Sequence, residues 1–497
     1  MERDIEQSKI YCRQHPGNSE ALIHLVHELR SLGRSNEIRD VLQFEPVHIP
    51  LAWRLLGKLA PARFAKDGSV LNMRRLAKLF RRPINRSLAI MDQARLRAEL
   101  ALGLLGDQNE FLRLLEVKRT TQDRLLRCLG MSSAPVRYMG NYWVHKIGHL
   151  GQIEFYFRPW KLGLLTSARP VILIRTVQEV ANKPLLDYWR QHFEVIIDPL
   201  EFERRALEAG LLDIDIHVYE SADPDRPSLF YKVADALAWQ RWDAEHRGPA
   251  LTIDPAHEQA GRAALEALGV PREAWFATFH VREPGFAGDT GPGPRNASIE
   301  NYLPAMREIV ARGGHVVRLG NPAMKPLPDI PGVLDLAHSA GRSEELDLYV
   351  LAACRLFVGM ASGPAQVPHL FGVPTVYTNW IPIPDYPFHG NALLIHKTHR
   401  DKATGCRLPY QRFVGLHTDY QNKDESIVFE ENTPEEIRDV VIELLDRLDG
   451  RAVQDFAEDE RRQQQFRDLA GISSATGRPR LGRTFLESNA DLLETGR

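Results

Sequence analysis

No stretch of about 18 consecutive apolar residues occurs in this 497-residue chain, so no transmembrane helix is expected. The opening Met1-Glu-Arg-Asp-Ile-Glu-Gln is acidic and polar, so a secretory signal peptide is not expected either. Cysteine is scarce. Cys12, Cys128, Cys354 and Cys406 are scattered, with neither disulfide nor metal-ligand spacing. Cys354 lies in an apolar segment and reads as a small core residue. A reducing cytoplasm is the expected compartment. There is no His-Glu-x-x-His, and the one Asp-x-Asp, Asp213-Ile-Asp215, reads equally well as a strand edge, so no metal site is expected. The lack of a Gly-x-x-x-x-Gly-Lys loop argues against a P-loop nucleotidase, and no basic–aromatic array suggests nucleic acid.

What is present is ordinary in bulk and uneven in distribution. The chain is 43% hydrophobic and 26% charged, as soluble globular proteins are, and its length suggests roughly three domains. Residues 1–130 hold 23 Lys and Arg against 15 Asp and Glu, while the remainder holds 40 against 50. A basic front on an acidic body suggests an anionic partner surface for the front.

Residues 1–130 read as helices only. Ala21, Leu22, Leu25 and Leu29, then Leu32-Gly-Arg34, then Ile38 and Leu42 describe two amphipathic helices meeting at a glycine, similar to one degenerate tetratricopeptide unit. Further helices punctuated by Pro46, Pro50, Pro61 and Pro83 must cover its open face. Met73-Arg-Arg-Leu-Ala-Lys-Leu-Phe-Arg-Arg82 sets Leu76, Leu79 and Phe80 among five basic residues. It reads as a solvated helix with one core-facing stripe, or as a helix resting on anionic lipid.

From about residue 131 short apolar runs alternate with helices, the pattern of parallel sheets covered on both faces. Strands are expected at 170–175 and 193–198, with helices at 183–192 and 233–244. After a helix at 255–268 a second such unit follows. Its strands are expected at 275–281, 315–319, 334–336, 356–359 and 375–378, and its helices at 299–312, 343–353 and 365–371. Residues 146–151, Lys-Ile-Gly-His-Leu-Gly, read as a Gly-flanked turn too loose for a dinucleotide fingerprint. The expected fold class is α/β, two Rossmann-like domains facing a cleft in a GT-B-like arrangement, preceded by an all-α helical-hairpin (TPR-like) domain. The expected divisions are 1–130, 131–268, 269–432 and a helical tail 433–497.

Polar groups recur where the second unit's strands end. They are His280-Val-Arg-Glu283, Arg295-Asn296, Arg318, His338 and the turn Ser362-Gly-Pro364. Ser362 suits an N-cap or a ligand hydroxyl, and Pro364 suits a first helical turn. A helix N-terminus at a sheet's carboxyl edge favours phosphate. Arg282, Arg295 and Arg318 fit a diphosphate, because a guanidinium forks two bonds to phosphate oxygens. Each is also open to a plain ion-pair reading, and His280 to that of a core histidine. Sugar transfer to a hydroxyl would need a general base, for which Glu283, Asp289 and His149 are the candidates.

These residues resemble known enzymes. Ser362-Gly-Pro-Ala-Gln-Val-Pro-His-Leu-Phe-Gly-Val-Pro-Thr-Val looks like the donor-phosphate turn of heptosyltransferase-type GT-B enzymes. His280-Val-Arg-Glu-Pro-Gly, Arg295-Asn-Ala-Ser-Ile-Glu-Asn-Tyr302, Val317-Arg318-Leu-Gly, Ala337-His-Ser and Thr378-Asn-Trp380 resemble a family of predicted glycosyltransferases from bacterial surface-polysaccharide clusters. The likeness covers roughly 131–497 and is densest at 275–385. His280-Val-Arg282 is also similar to the His-x-Arg motif of fucosyltransferases that use GDP-fucose, where the Arg holds the donor β-phosphate. The chain departs from them with Glu283-Pro-Gly after the Arg, and from the heptosyltransferases with Ala361 before the Ser.

The resemblance implies nucleotide-sugar transfer, the sugar left open. The expected protein is a metal-independent hexosyl- or fucosyl-type glycosyltransferase, cytoplasmic or peripheral at the inner face of the plasma membrane. It needs no cofactor beyond its nucleotide-sugar co-substrate. Its acceptor is a glycan, a lipid-linked sugar or a protein, and its basic front meets a protein partner or an anionic membrane. A nucleotide-sugar epimerase or hydrolase, and a non-catalytic TPR-type scaffold, remain alternatives.

Overall fold

Runs such as Leu356-Phe-Val-Gly359 and Ala392-Leu-Leu-Ile-His396 are apolar on both faces, which suits strands covered above and below. The computed structural model of the protein puts them in such a sheet. It describes Lys9 and residues 136–165, 169–202, 218–220, 222, 228–283, 295–381, 390–413, 426–451, 456–469 and 480–493. Apart from Lys9, the expected helical domain 1–130 lies outside the described residues, with its basic helix at 73–82. So do Asp213, Asp215 and Asp289.

The chain divides into two compact units. In the first, β1 (Val136–Met139), β2 (Arg169–Ile174) and β3 (Glu194–Ile197) form a parallel sheet in that order. Val171, Ile172, Leu173 and Ile174 of the central strand are fully buried. β4 (Val218–Glu220) and β5 (Ser228–Phe230) pair antiparallel in the same unit.

The second unit gathers Lys146–Arg158, Ala181–Trp189 and Asp235–Arg497. Its strands β6 (Phe276–His280), β7 (His315–Arg318), β8 (Val333–Asp335), β9 (Leu356–Gly359), β10 (Thr375–Trp380) and β11 (Ala392–His396) form one parallel sheet, in the order β11-β10-β9-β6-β7-β8. β12 (Thr398–Asp401) and β13 (Ile427–Glu430) make a separate antiparallel pair. The helices are α1 (Ile147–Gln152), α2 (Glu154–Lys161), α3 (Lys183–Trp189), α4 (Tyr231–Ala244), α5 (Pro255–Ala267), α6 (Leu303–Ala311), α7 (Glu344–Ala353), α8 (Tyr410–Phe413), α9 (Pro434–Leu448), α10 (Phe456–Leu469) and α11 (Arg483–Ser488).

Alternation along β6 decides what covers each face. Ala277, Phe279 and Val281 join Met306 and Ile309 of α6 and Val440 and Leu444 of α9 in one buried cluster. Phe276 and Thr278 face the other way, where the Phe276 ring lies 6.3 Å from that of Tyr349 and Thr278 Oγ1 donates to the Val350 carbonyl, both on α7. Local signals start the helices where the sequence places them. The Asp254 side chain accepts from Ala256 N–H, that of Ser343 from Leu346 N–H, and Thr433 with Glu436 forms a capping box.

The structure corrects three local expectations. Residues 146–151 are not a turn, since Ile147–Gln152 is helical. The helix expected at 365–371 is two 3₁₀ turns, Pro364–Gln366 and Pro368–Phe371. Pro368 has no N–H to close an α-turn onto the Pro364 carbonyl four residues back, so the chain tightens instead. The strands β11, β12 and β13 were not foreseen. Among the described residues no helix is long and apolar enough to cross a membrane.

Three imidazoles are walled into this unit. Burial, with Arg318 and Arg282 nearby, holds His280 down to about 3. Burial holds His396 at about 4, and burial together with His396 holds His399 at about 3. The unfolded chain takes up these protons below about pH 6.5 and the native chain does not, so stability falls as pH drops from there. Asp235 pulls the other way, because burial raises its pKa well above the usual carboxylate range. Burial also raises Glu283, Asp347, Glu436 and Glu443, which pull with Asp235. His396→Gln should therefore flatten the fall of the urea midpoint between pH 7.5 and 4.5 by up to ~1.4 kcal/mol per pH unit. An unchanged slope would show that this imidazole is not buried neutral.

Candidate functional site

From β6 the chain builds outward to β7 and β8, then returns to lay β9 on the other side of β6 and continues to β10 and β11. Such a reversal opens a crevice at the carboxyl ends of the two strands where it occurs. His280 ends β6 and Gly359 ends β9. Side chains tie these ends together. Ser362 Oγ and His280 Nδ1 lie 3.0 Å apart, and the Arg282 N–H donates to Met360 Sδ at 3.2 Å. Arg295 donates from Nε (3.2 Å) and Nη2 (2.8 Å) to the Ala361 carbonyl. Arg282 Nε donates to Asn296 Oδ1 at 3.1 Å. Both arginines are partly exposed, so two cations stand at the ends of β6 and β9.

The turn that carries Ser362 is held from behind. A Cβ on Gly148 would come within 2.8 Å of Gly363 Cα, and one on Gly151 within 2.3 Å of the Gln366 carbonyl oxygen. Gly148 and Gly151 stand three apart on α1, so they share one face and let that helix press backbone to backbone on the turn. His149, half-buried, sits between them. One turn further on, Glu154 Oε2 lies 2.6 Å from His369 Nε2, and its other oxygen accepts from Arg158 Nε at 2.5 Å. Burial alone would raise the Glu154 carboxyl, but Arg158 and His369 outweigh it and hold it down to about 2. The Arg158 guanidinium stacks over Trp239, 3.8 Å from the ring centroid.

From the other side a polar chain fixes the end of β9. Asn379 and Asn432 exchange hydrogen bonds of 2.5 and 2.8 Å through backbone N–H and side-chain oxygen. Asn379 Nδ2 donates to Tyr302 Oη (3.0 Å), which lies 2.7 Å from Thr378 Oγ1, and that hydroxyl donates to the Gly359 carbonyl (3.1 Å). Asn379 is at φ 48°, a left-handed conformation that Asn tolerates better than most residues.

The predicted site residues divide. His280, Arg282, Arg295, Ser362, Gly363 and Pro364 meet at the β6/β9 reversal. Arg318 does not: it is fully buried, bonded to Glu283 Oε2 (2.8 Å) and Asp335 Oδ1 (3.0 Å). Two carboxylates beside a desolvated guanidinium make it a structural post. Glu283 is thereby engaged as well; burial raises its pKa and Arg318 opposes the rise. His338 stands at the β8 end, Nδ1 to Asp335 Oδ2 (3.0 Å) and Nε2 to the Pro322 carbonyl (3.2 Å). It is two strands from β6, about 10 Å. Ser362 is not a cap. Its hydroxyl goes to His280, the capping position is taken by Gly363, and a three-residue 3₁₀ turn brings no appreciable helix dipole. Sequence reading named Asn296 among the strand-end polar groups and Asn379 within Thr378-Asn-Trp380, but not what they hold, and it missed Lys397 and Asn432.

Among the described residues no group of three or more His, Cys, Asp or Glu is placed to hold a metal ion.

No protein-family model matches the chain, and no curated protein matches it. Among solved structures it is similar to the E. coli ADP-heptose lps heptosyltransferase II, at 16% identity and a TM-score of 0.38, covering 63% of this chain and 97% of that one. A glycosyl transferase family 9 structure from Veillonella parvula aligns at 12% identity and 0.26, covering 61% and 78%. The dodecameric iron-containing heptosyltransferase TibC, solved with ADP-D-beta-D-heptose, aligns at 11% and 0.31, covering 65% and 81%. At these identities and scores the likeness carries no argument about activity.

Proposed function

We propose that the protein is a glycosyltransferase whose second unit binds the diphosphate of a nucleotide-sugar at the β6/β9 reversal. The observation that carries this reading is the convergence of Arg282 and Arg295 on the crevice between the ends of β6 and β9, beside the Ser362–His280 pair. A diphosphate leaving group gains charge as the anomeric carbon–oxygen bond breaks, and fixed guanidiniums stabilise that charge without reorganising. The acceptor hydroxyl gives its proton to a base, its oxygen bonds the anomeric carbon, and the nucleoside diphosphate departs. His149 is the candidate base, on the helix packed against the 363–366 turn. The nucleoside extends along the sheet edge toward His338. The guanidiniums supply the charge, so the proposed transfer carries no metal, and the acceptor is a glycan, a lipid-linked sugar or a protein. A role in surface-polysaccharide or glycoconjugate synthesis, at the inner face of the plasma membrane, belongs to the same proposal and rests on the sequence resemblance alone.

The test is a thermal-shift screen of GDP-, UDP-, CMP- and ADP-sugars. One base class should raise the melting temperature in proportion to ln(1 + [L]/Kd). No shift with any of them at millimolar concentration would sink the reading. Incubation of that donor alone then separates transfer from an epimerase or hydrolase, which would turn it over without an acceptor.

A further inference from the structure

Directly after β11, at the carboxyl edge of the sheet, stands a buried lysine. Lys397 is 2% exposed and its Nζ donates to the Asn296 carbonyl at 2.7 Å. Asn296 is the residue whose side chain takes Arg282 Nε. Its neighbours are pinned as well: Arg295 to the Ala361 carbonyl, the Ala297 N–H to the Arg282 carbonyl (2.9 Å), and the Ser298 N–H to Glu431 Oε2 (2.8 Å). Residues 295–298 thus form a strap across the ends of β9, β6 and β11, with Lys397 beneath it. The backbone of Lys397 is fixed in turn, its carbonyl accepting from Nδ1 of His396 (2.8 Å) and of His399 (2.9 Å).

Burying an ammonium is costly unless it is paired, and here its hydrogen-bonded partner is a neutral carbonyl. An apolar side chain would fill the space at no such cost. The charge therefore needs a reason, and the strap supplies one. We infer that Lys397 is a positioning residue of the anion site, whose ammonium holds the 295–298 strap so that Arg282 and Arg295 face the ligand's phosphates. This rests on the proposed function, since it assigns how that same site is held.

The titratable groups around Lys397 are Glu431, His396, His399 and Tyr410, with Arg282 and Glu436 one hydrogen bond further out. Burial keeps His396 at about 4 and His399 at about 3, and pushes the Tyr410 hydroxyl above its usual range. Burial also lowers Lys397 to about 8, with Glu431 opposing. Of these groups, Lys397 is the one expected to change charge between pH 7 and 9.5.

The experiment measures Kd for the nucleoside diphosphate of the base class found in the screen, at pH 7.0, 8.0, 9.0 and 9.5, with melting temperatures alongside. The ligand's own titration is common to wild type and variants, so the reading is the difference between their profiles. Wild-type affinity should fall about tenfold across the series as the ammonium is lost. Lys397→Met should bind about tenfold more weakly at pH 7, with a flat profile and a melting temperature equal to or above wild type. Lys397→Arg should keep wild-type affinity at pH 7 and hold it to pH 9.5. Wild-type affinity and slope in Lys397→Met would overturn the inference. A lowered melting temperature with an unchanged slope would also overturn it, by making the residue a plain structural support. If the wild-type protein binds no nucleotide, the proposed function has failed first, and the two failures are distinguishable.

Discussion

Arg282→Ala should weaken nucleoside-diphosphate binding about 10- to 100-fold and lower kcat/KM by about 10²–10³. The larger effect on turnover follows from where charge develops. In the ground state of the proposed transfer the guanidinium would contribute charge-assisted hydrogen bonds worth about 1.5–3 kcal/mol. As the anomeric bond breaks, negative charge accumulates on the bridging oxygen, and a donor already in place gains about another 1 kcal/mol or more. Arg282 is in place because its Nε is fixed on Asn296 Oδ1 and its backbone N–H on Met360 Sδ. Arg282→Lys should recover little, since one ammonium cannot both reach Asn296 and fork onto phosphate. Calorimetric titration and steady-state kinetics give the two numbers, and an alanine variant with wild-type Kd removes Arg282 from the site. Arg318→Ala is the contrast. It strips the counter-charge from the buried Glu283 and the half-buried Asp335, so its main effect should be a stability loss of about 3–5 kcal/mol.

That contrast marks what the sequence could not separate. Arg282 and Arg318 both follow short apolar strands, and nothing local distinguishes an arginine aimed at a crevice from one locked between carboxylates. The partners of Arg318 lie 35 and 17 residues away, and only the β6–β7–β8 register brings them together. The contact between Lys397 and Asn296 spans 101 residues, and the strand that delivers Lys397 was itself not foreseen. By contrast, β6, β7 and β9 were legible, because continuous apolar runs bounded by Gly, Pro or charge have few other uses. The end of β10 was not. The expected strand stops at Thr378, yet it runs on to Trp380 with Thr378 and Asn379 buried by the Tyr302 and Asn432 network, a long-range compensation that local polarity cannot announce. The glycines at 148 and 151 were visible as a pattern, but their purpose, close packing on the 363–366 turn, needed the fold.

His149→Ala should reduce kcat by about 10²–10⁴ while leaving donor affinity within about twofold. Attack on the anomeric carbon requires the acceptor hydroxyl to lose its proton, and the alternatives around the crevice are weak. Glu283 is committed to Arg318. His280 faces Ser362 and is held at about 3, far too feeble a base for a hydroxyl. His149 stands on a helix that Gly148 and Gly151 bring hard against the 363–366 turn, and its place one residue after Gly148 and two before Gly151 keeps its ring off the packed face. A base on that helix shares its frame with the Ser362–Pro364 turn, so base and donor phosphate are positioned by one contact. Two further readouts separate catalysis from support. His149→Gln, which fills the same space without a base, should lose kcat as His149→Ala does, and Gly151→Val, which keeps the imidazole but wedges the helix away from Gln366, should lower kcat as well. Wild-type kcat in His149→Ala would pass the role to Asp289, where Asp289→Asn should then produce the loss instead.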